Sequence, residues 1–389
     1  MPRPALEVAG LLRTLVRQGR LPRVSSAQAK VVKALIACRT AALGGHVDVC
    51  DACGHEAISY NSCRNRHCPK CQGGATAAWL EAQQQNLLPV PYAHVVFTLP
   101  ALLAPLALQN PQLVYGLLFR AVSQTLLQIA ATPRHLGARL GFLAILHTWG
   151  QNLLHHPHIH CVVPAGGLAL DGSRWVRCRP GFFLPVRVLG RLFRGKLLAF
   201  LEEAQRAGAL QCHGRLVELR DPRAFRSLLA RARTLEWVVY AKPPFGGPDA
   251  VLKYLARYTH RIAISNHRLL QATQEHVSFS WKDYRHGHRQ RVLTLELAEF
   301  ARRFLLHVLP PRFVKIRYYG WLAQSQRASA LPRCRELLAT SAPASATAAD
   351  RDDHTNEPGA DRDSEPVTCP HCQRGRLVYS RALPPADSS

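Results

Sequence analysis

The sequence predicts an α+β fold, in which a small helical, cysteine-rich module precedes a domain of alternating strands and helices. Two observations predict it. Cysteine and histidine are concentrated in "HVDVCDACGHEAISYNSCRNRHCPKCQ", and from residue 93 onward short β-rich runs such as "HVVFTLP", "LGFLAILHTWG" and "HIHCVVPAGGL" alternate with apolar, arginine-bearing helical stretches. With 389 residues, of which 47% are hydrophobic, the chain can bury a sizeable core.

Composition divides the chain into four segments. Helical spacing predicts one amphipathic helix over residues 26–43 and another over "ATAAWLEAQQQNLL", which "PVP" ends. Residues 341–368 hold seven acidic and two basic residues and almost no large apolar side chains, a composition typical of disorder. The predicted segments are a helical and metal-binding domain (1–92), an α+β domain (93–330), an acidic disordered linker (331–368) and a tail that contains "CPHC" (369–389).

The charge of the chain predicts a polyanionic partner. Lys and Arg number 50 against 25 Asp and Glu, a formal net charge of +25, and nucleic acid is the leading candidate to neutralise it. The N-terminal stretch "MPRPALEVAGLLRTLVRQGR" is interrupted by charges, unlike a secretory signal. The longest apolar run, "VVFTLPALLAPLAL", contains two prolines and is shorter than the roughly 20 residues that span a bilayer. We therefore expect a cytoplasmic protein without a membrane partner; nothing in the sequence indicates an oligomeric state.

Two Cys-x-x-Cys pairs predict a structural metal site. Cys50 with Cys53, and Cys68 with Cys71, would each offer two thiolates to one ion, and together they complete the tetrahedral shell that Zn²⁺ prefers. A different set of four ligands stays open, because Cys63 and two histidines lie within reach. The second interpretation of this module is a DNA grip, since basic residues lie between the ligands: Arg64, Arg66 and Lys70.

A further pair, Cys369 and Cys372, stands alone near the C-terminus. Three interpretations are open for it. It recruits Cys334, it binds a metal between two chains, or it has no role.

His158 and His160 flank an isoleucine in a β-rich run, so both imidazoles would lie on one side of a strand. Such a pair suits a divalent ion that keeps open positions for substrate oxygen. Gln151, across a predicted turn, is the candidate third ligand. The alternative is a structural histidine pair, which a chain with 19 histidines forms easily.

The stretch "YLARYTHR" places Tyr254 and Tyr258 four residues apart, on one face of a helix. A tyrosine attacks a phosphate only if the phosphate is polarised, which an ion on the histidine pair would do. Two phenols side by side would allow one to hold a first DNA end while the other cuts a second. A neighbouring stripe of cations would contact the flanking phosphates: Lys253, Arg257 and Arg261. The alternatives are packing for the tyrosines and a solvated face for the cations.

Together these motifs resemble the rolling-circle transposases of the insertion-sequence-91 family, members of the HUH (His-hydrophobic-His) nuclease superfamily. The resemblance extends to about residue 325 and is carried, in order, by "CRTAALGGH", "CDACGH", "NSCRNRHCPKCQ", "HVVFTLP", "HTWGQNLLHHPHIHCVVPAGGL", "YLARYTHRIAISNHRLL", "WKDYRHG", "EFARRFLLHVLP" and "FVKIRYYGWLA".

The resemblance implies an antiparallel-sheet endonuclease domain behind a zinc-ribbon domain. It implies Mg²⁺ or Mn²⁺ on His158 and His160, with Gln151 at the position of a third ligand. Tyr254 and Tyr258 would be the nucleophiles of a two-tyrosine enzyme acting on single-stranded or hairpin DNA. Because phosphotyrosine stores the energy of the broken strand, no nucleotide cofactor is expected.

Two alternatives to this function remain at the level of sequence. The first is a plasmid replication initiator or relaxase of the same superfamily. The second is a non-enzymatic zinc-ribbon DNA-binding regulator, in which the histidines and tyrosines are structural.

Overall fold

A computed structural model of the chain describes residues 4–245, 247, 250–251, 262–283, 287, 289–340 and 367–386. The α-helices of these residues are α1 (Val8–Arg17), α2 (Ser26–Ala37), α3 (Gln72–Gln84), α4 (Ala104–Gln109), α5 (Pro111–Ala131), α6 (Val186–Arg206), α7 (Pro222–Thr234), α8 (Leu297–Leu305) and α9 (Gln324–Thr340).

The strands are β1 (Gly45–Cys50), β2 (Glu56–Tyr60), β3 (Tyr92–Thr98), β4 (Ala138–Arg139), β5 (Gly141–Trp149), β6 (His155–Pro164), β7 (Gly166–Ala169), β8 (Trp175–Arg177), β9 (Val239–Phe245), β10 (Leu269–Ala272), β11 (His276–Asp283), β12 (Arg289–Glu296), β13 (Ile316–Gly320) and β14 (Leu377–Leu383). They form sheets of order β14-β1-β2, β10-β11-β12, β13-β5-β6-β3-β9 and β4-β7-β8.

The five-stranded sheet is the centre of the molecule, and all of its strand pairs are antiparallel. The α+β prediction with an antiparallel sheet is therefore confirmed. Both faces of the middle strands are covered, which explains why β5 is an almost continuous apolar run rather than an alternating one.

One face of this sheet packs against α5, α6 and α7. Phe97 of β3 meets Phe193 of α6 edge to face, with ring centroids 5.1 Å apart, within a cluster that also includes Phe119 and Phe225. Helix α5 is long and apolar enough to cross a membrane, but 61% of its apolar window is buried inside the protein. It is the core helix of this layer.

The opposite face of the sheet is divided between a second apolar cluster and a row of histidines. Ile145 and Val162 pack there with Trp321 and with α9, which contributes Leu331 and Leu338. Alternation along the strands places His147 and His160 on the same side as these residues.

The N-terminal helices do not form an independent module. Helix α2 begins with a capping box between Ser25 and Gln28, and it ends at Ala37; a short 3-10 turn, Ala41–Leu43, follows. The predicted single helix over residues 26–43 is thus too long. Helix α1, which the sequence analysis did not foresee, packs with α2 and α8 and with the β10-β11-β12 sheet.

Two predicted boundaries are wrong. Helix α9 continues beyond residue 330 to Thr340, because four of its residues are buried in the core: Leu331, Cys334, Leu337 and Leu338. The C-terminal segment is not a separate tail, because β14 pairs along the whole length of β1. The last described strand, β14, therefore belongs to the same sheet as β1 and β2 of the N-terminal domain.

Gly320, at the end of β13, lies where the backbones of the central sheet approach closely. Its φ is +61°, and an added Cβ would lie 1.7 Å from the carbonyl oxygen of Leu140. We expect Gly320→Ala to lower the free energy of unfolding by about 2–5 kcal/mol, the sum of backbone strain and overpacking. Chemical denaturation measures it.

The matched control is Gly116→Ala in α5, where an added Cβ meets nothing within 4 Å. That change should leave the free energy of unfolding unaltered or raise it by up to about 1 kcal/mol. Equal effects of the two substitutions would contradict the geometry at Gly320.

Candidate functional site

Three imidazoles converge on the face of the central sheet that is opposite α5, α6 and α7. In the β5-β6 hairpin His147 lies directly opposite His158, and Ile145 lies opposite His160. The potential ligand nitrogens of the three histidines all lie within 4.8 Å of one another. This spacing suits a divalent ion bound by nitrogen.

Hydrogen bonds orient two of these rings. The Nδ1 of His158 donates to the backbone oxygen of His156 over 2.6 Å, and the Nδ1 of His160 shares a 2.8 Å hydrogen bond with Nε2 of His94 on β3. Burial, with Lys242 and His158 nearby, lowers the pKa of His94 to about 3, so His94 is neutral at physiological pH. With Nδ1 engaged in both rings, Nε2 is the nitrogen offered to an ion, as in metal sites whose ligands are held by an outer partner.

The structure brings His147 to this pair of histidines as a candidate third ligand. Gln151 lies beyond the end of β5 in the hairpin turn, where its backbone oxygen accepts a hydrogen bond from Arg268. His147 stacks on Trp149 with ring centroids 4.7 Å apart. Sequence reasoning missed His147 because the residue opposite His158 depends on the length of the turn; the hairpin register is the signal that identifies it.

The predicted nucleophiles Tyr254 and Tyr258 lie outside the described residues, as do the cations predicted beside them: Lys253, Arg257 and Arg261. The residues on either side are described. Val251 is buried in the same apolar cluster as Ile145 and Val162, and Ile145 lies opposite His160 in the sheet. After the gap, Ile262 and Ala263 line a small cavity together with Trp149. The residues that flank the segment thus share an apolar cluster or a cavity with neighbours of the imidazole cluster.

The cysteines form two clusters rather than the single one predicted. Cys68 and Cys71 lie with Cys38, at the end of α2, and with Cys63. Their sulfurs are 3.5 Å (Cys38 to Cys71), 3.7 Å (Cys63 to Cys71) and 3.6 Å (Cys38 to Cys68) apart. Four sulfurs at ~2.3 Å from a tetrahedral zinc are ~3.8 Å apart, so this set fits the ion.

Cys50 and Cys53 belong to the second cluster, with Cys369 and Cys372. The prediction that the two N-terminal pairs share one ion is therefore wrong. The physical reason is that each pair finds closer partners elsewhere: Cys38 and Cys63 for one, and the C-terminal pair for the other. Cys38 carries no Cys-x-x-Cys signal, and the sequence separation of 316 positions between Cys53 and Cys369 hides their proximity.

Comparison with known proteins decides the family. Residues 12–99 match the family model described as "Transposase zinc-binding domain", of the IS91 type, and residues 141–329 match the one described as "Putative transposase". The chain is 54% identical over 97% of its length to "Putative transposase y4qJ" of Sinorhizobium fredii, of which it covers 96%. It is 31% identical over 81% of its length to the transposase for insertion sequence element IS801 of Pseudomonas savastanoi pv. phaseolicola, of which it covers 75%.

The chain belongs to the IS91 family of transposases. No solved structure matches it. Because the chain belongs to this family, its cysteine-rich module is a zinc-binding domain that holds structural Zn²⁺. For the same reason its partner is DNA, in agreement with the net charge of +25. The imidazole cluster and the segment with Tyr254 and Tyr258 both lie within the transposase match.

Two of the cations predicted to contact DNA instead form bonds with other residues of this transposase. Arg66 donates to the backbone oxygens of Phe313 and Pro310, at 2.6 and 2.8 Å. Lys70 forms a 2.9 Å salt bridge with Glu7, and its side chain is only 13% exposed. Arg66 thereby joins the cysteine-rich module to residues 310 and 313, whereas Lys70 joins it to the segment that precedes α1. Arg64, in contrast, is exposed.

A row of buried polar groups lies behind the imidazole cluster of the transposase. Tyr115 and Nε2 of His155 share a 2.8 Å hydrogen bond. His307 contacts Thr148 through Nδ1 at 3.2 Å and donates from Nε2 to the backbone oxygen of Leu153 at 3.0 Å. Burial lowers the pKa of His155 to about 3 and that of His307 to about 4.

These pKa values predict a loss of stability in acid. An unfolded histidine titrates near about 6.5, so between that pH and about 4 the unfolded chain binds a proton that buried His307 refuses. The free energy of unfolding should therefore fall by up to about 1.4 kcal/mol per pH unit for such a histidine. Above about pH 6.5 this contribution is constant.

Denaturation at a series of pH values, for the parent and His307→Gln, measures this effect. Glutamine keeps a donor for Leu153 but does not titrate, so the variant should show the shallower pH dependence. Subtracting the two curves removes the acid sensitivity of the zinc sites, which both proteins share. Parallel curves would contradict the assignment.

Proposed function

We propose that this transposase nicks single-stranded DNA at the ends of its element and transfers the strand to target DNA by rolling-circle transposition. Tyr254 and Tyr258 are the nucleophiles, and the covalent intermediate is a 5′-phosphotyrosine. The observation that carries the proposal is the imidazole cluster of His147, His158 and His160, whose neighbours share an apolar cluster and a cavity with the residues that flank the tyrosine segment.

The chemistry is a pair of phosphoryl transfers. The phenolic oxygen of one tyrosine loses its proton and attacks phosphorus, the P–O3′ bond breaks, and the leaving 3′ oxygen takes up a proton. A 3′-hydroxyl of target DNA then attacks the phosphotyrosine and restores the phenol. Bond energy is conserved in both steps, so no nucleotide cofactor takes part. With two tyrosines, one DNA end stays bound while the other is cut.

The three histidines fit a divalent transition ion better than an ion that demands oxygen ligands. Mg²⁺ keeps its waters and prefers carboxylates, whereas Mn²⁺ accepts nitrogen more readily. We therefore propose Mn²⁺, rather than Mg²⁺, as the ion of this site. Held by these three histidines, such an ion would polarise the scissile phosphate and offset its developing charge. His94 holds the ring of His160 in place for it.

DNA is held by cations that face solvent. Lys242 of β9 is exposed and lies opposite His94 in the sheet, beside the imidazoles. Arg64 is exposed in the zinc-binding domain. We propose that these two, together with the cations of the tyrosine segment, bind the backbone of a single-stranded or hairpin end. DNA in the cytoplasm is the substrate, and the protein works there.

The test is a search for the covalent intermediate. Purified protein is incubated with labelled single-stranded DNA libraries and Mn²⁺ or Mg²⁺, and adducts are resolved on a denaturing gel. We expect an adduct that forms with Mn²⁺ and disappears with EDTA. A protein that binds DNA yet forms no adduct with any of it would refute the proposal and favour the non-enzymatic regulator.

A further inference from the structure

The second cysteine cluster joins the two ends of the chain. The sulfur of Cys50 lies 3.7 Å from that of Cys372, and the sulfur of Cys53 lies 3.8 Å from that of Cys369. Both distances exceed by far the ~2.0 Å of a disulfide, and both match the ~3.8 Å between sulfurs around a tetrahedral zinc. The family model for the zinc-binding domain ends at residue 99, so it includes only half of this cluster.

We infer that Cys50, Cys53, Cys369 and Cys372 bind a second structural zinc ion, which clasps the C-terminal segment to the N-terminal domain. The two cysteine pairs have the same backbone form. The N–H of Gly54 donates to the backbone oxygen of Cys50, and the N–H of Gln373 donates to the backbone oxygen of Cys369, each over 3.0 Å. The residue after each pair has a positive φ, +70° at Gly54 and +57° at Gln373.

This repetition is informative because a left-handed conformation is uncommon for glutamine. The turn it makes brings both sulfurs of a pair to one side, where two pairs can face each other. A metal that binds all four sulfurs gives a physical reason for holding Gln373 in that conformation.

The surroundings of the cluster are shaped for close approach of the two pairs. A Cβ on Gly375 would lie 2.5 Å from the sulfur of Cys50 and 2.6 Å from Cβ of Ala52. The N–H of Asp51 donates to the oxygen of Arg376 over 3.1 Å, and the N–H of Arg376 donates to the carboxylate of Asp51 over 2.8 Å. Only glycine fits at residue 375.

Strand pairing alone would hold the C-terminal segment to β1 only weakly. β14 pairs with β1 from Leu383 at Gly45 to Leu377 at Cys50, but most of β14 is exposed. It buries little apolar surface, and a strand on a small open sheet is marginal in water. Four thiolates on one zinc ion supply the missing free energy, as in small domains that fold only with metal.

Counting metal tests the inference. We expect the full-length protein to hold two zinc ions per chain in its cysteine clusters and the double variant Cys369→Ser, Cys372→Ser to hold one. Counts are made by mass spectrometry of metals in a His158→Ala, His160→Ala background, so that zinc on the imidazoles does not enter. Cys178→Ser, outside both clusters, is the matched control and should keep two ions.

A cleavage experiment separates the clasp from a loss of folding. A protease site is inserted in the acidic stretch near residue 355, and the protein is cut after purification. With zinc, the C-terminal fragment should co-elute with the rest of the chain in size-exclusion chromatography; a zinc chelator should release it. Two zinc ions in the double variant would overturn the site. A single zinc ion per chain in the parent protein would also overturn the site, whether the cut fragment dissociates or remains bound by strand pairing.

Discussion

Replacing both Tyr254 and Tyr258 by phenylalanine is expected to abolish the covalent DNA adduct, with a loss of strand cleavage of about 10⁴-fold or more. Each single replacement should leave an adduct, within about tenfold of the parent. The reason is that phenylalanine keeps the aromatic ring but removes the only atom that attacks phosphorus. Either phenol can still serve for one cut. The measurement is the denaturing-gel assay with labelled single-stranded DNA and Mn²⁺.

The matched control is Tyr60→Phe, since Tyr60 is an exposed tyrosine on β2 and should leave cleavage unchanged. Strand transfer, which needs two ends, should fall much more than cleavage in the single variants. An adduct that persists in the double variant would place the nucleophile elsewhere in the chain. Loss of the adduct in one single variant alone would show that the second tyrosine does not attack DNA.

Replacing His158 and His160 together by alanine should reduce metal-dependent cleavage by about 10³-fold or more, because the ion then loses two of its three ligands. DNA binding should remain, since the cations proposed to bind the backbone are unchanged. Cleavage is measured as above, and binding by fluorescence anisotropy of a labelled oligonucleotide. The matched control is His156→Ala, whose side chain is exposed and whose backbone oxygen still accepts from His158.

Single substitutions then distinguish the third ligand. His147→Ala should lower cleavage as strongly as His158→Ala and should raise the Mn²⁺ concentration needed for half-maximal rate. Gln151→Ala should have little effect. His94→Gln, which disturbs only the partner of His160, should lower cleavage by about 10–100-fold. A large loss in Gln151→Ala with none in His147→Ala would reverse the assignment.

Much of the local structure of this transposase can be predicted from the sequence. The α+β class, the β-rich runs that become β3, β5 and β6, and the helical stretch after the second cysteine pair all depend on neighbouring residues. The adjacency of His158 and His160 on one face of β6 follows from strand periodicity. The composition of residues 341–368 marks the acidic segment, although tertiary burial of Leu331 and Leu338 extends the preceding helix into the predicted linker.

The partners of each metal ligand were the part that only the tertiary structure decided. Ligand sets depend on proximity in space, and the sequence shows proximity only at short separation, as in Cys-x-x-Cys. His147 meets His158 through the register of a hairpin, and Cys38 meets Cys71 at the end of a helix that is shorter than its sequence pattern predicts. Cys50 meets Cys372 across a sequence separation of 322 positions. Likewise the positive charge of Arg66 and Lys70 was evident from sequence, but their hydrogen bonds to Phe313 and Glu7 were not. The sequence by itself determined which chemical groups this transposase has. The fold determined which of them act together, because tertiary contacts bring distant residues within bonding distance.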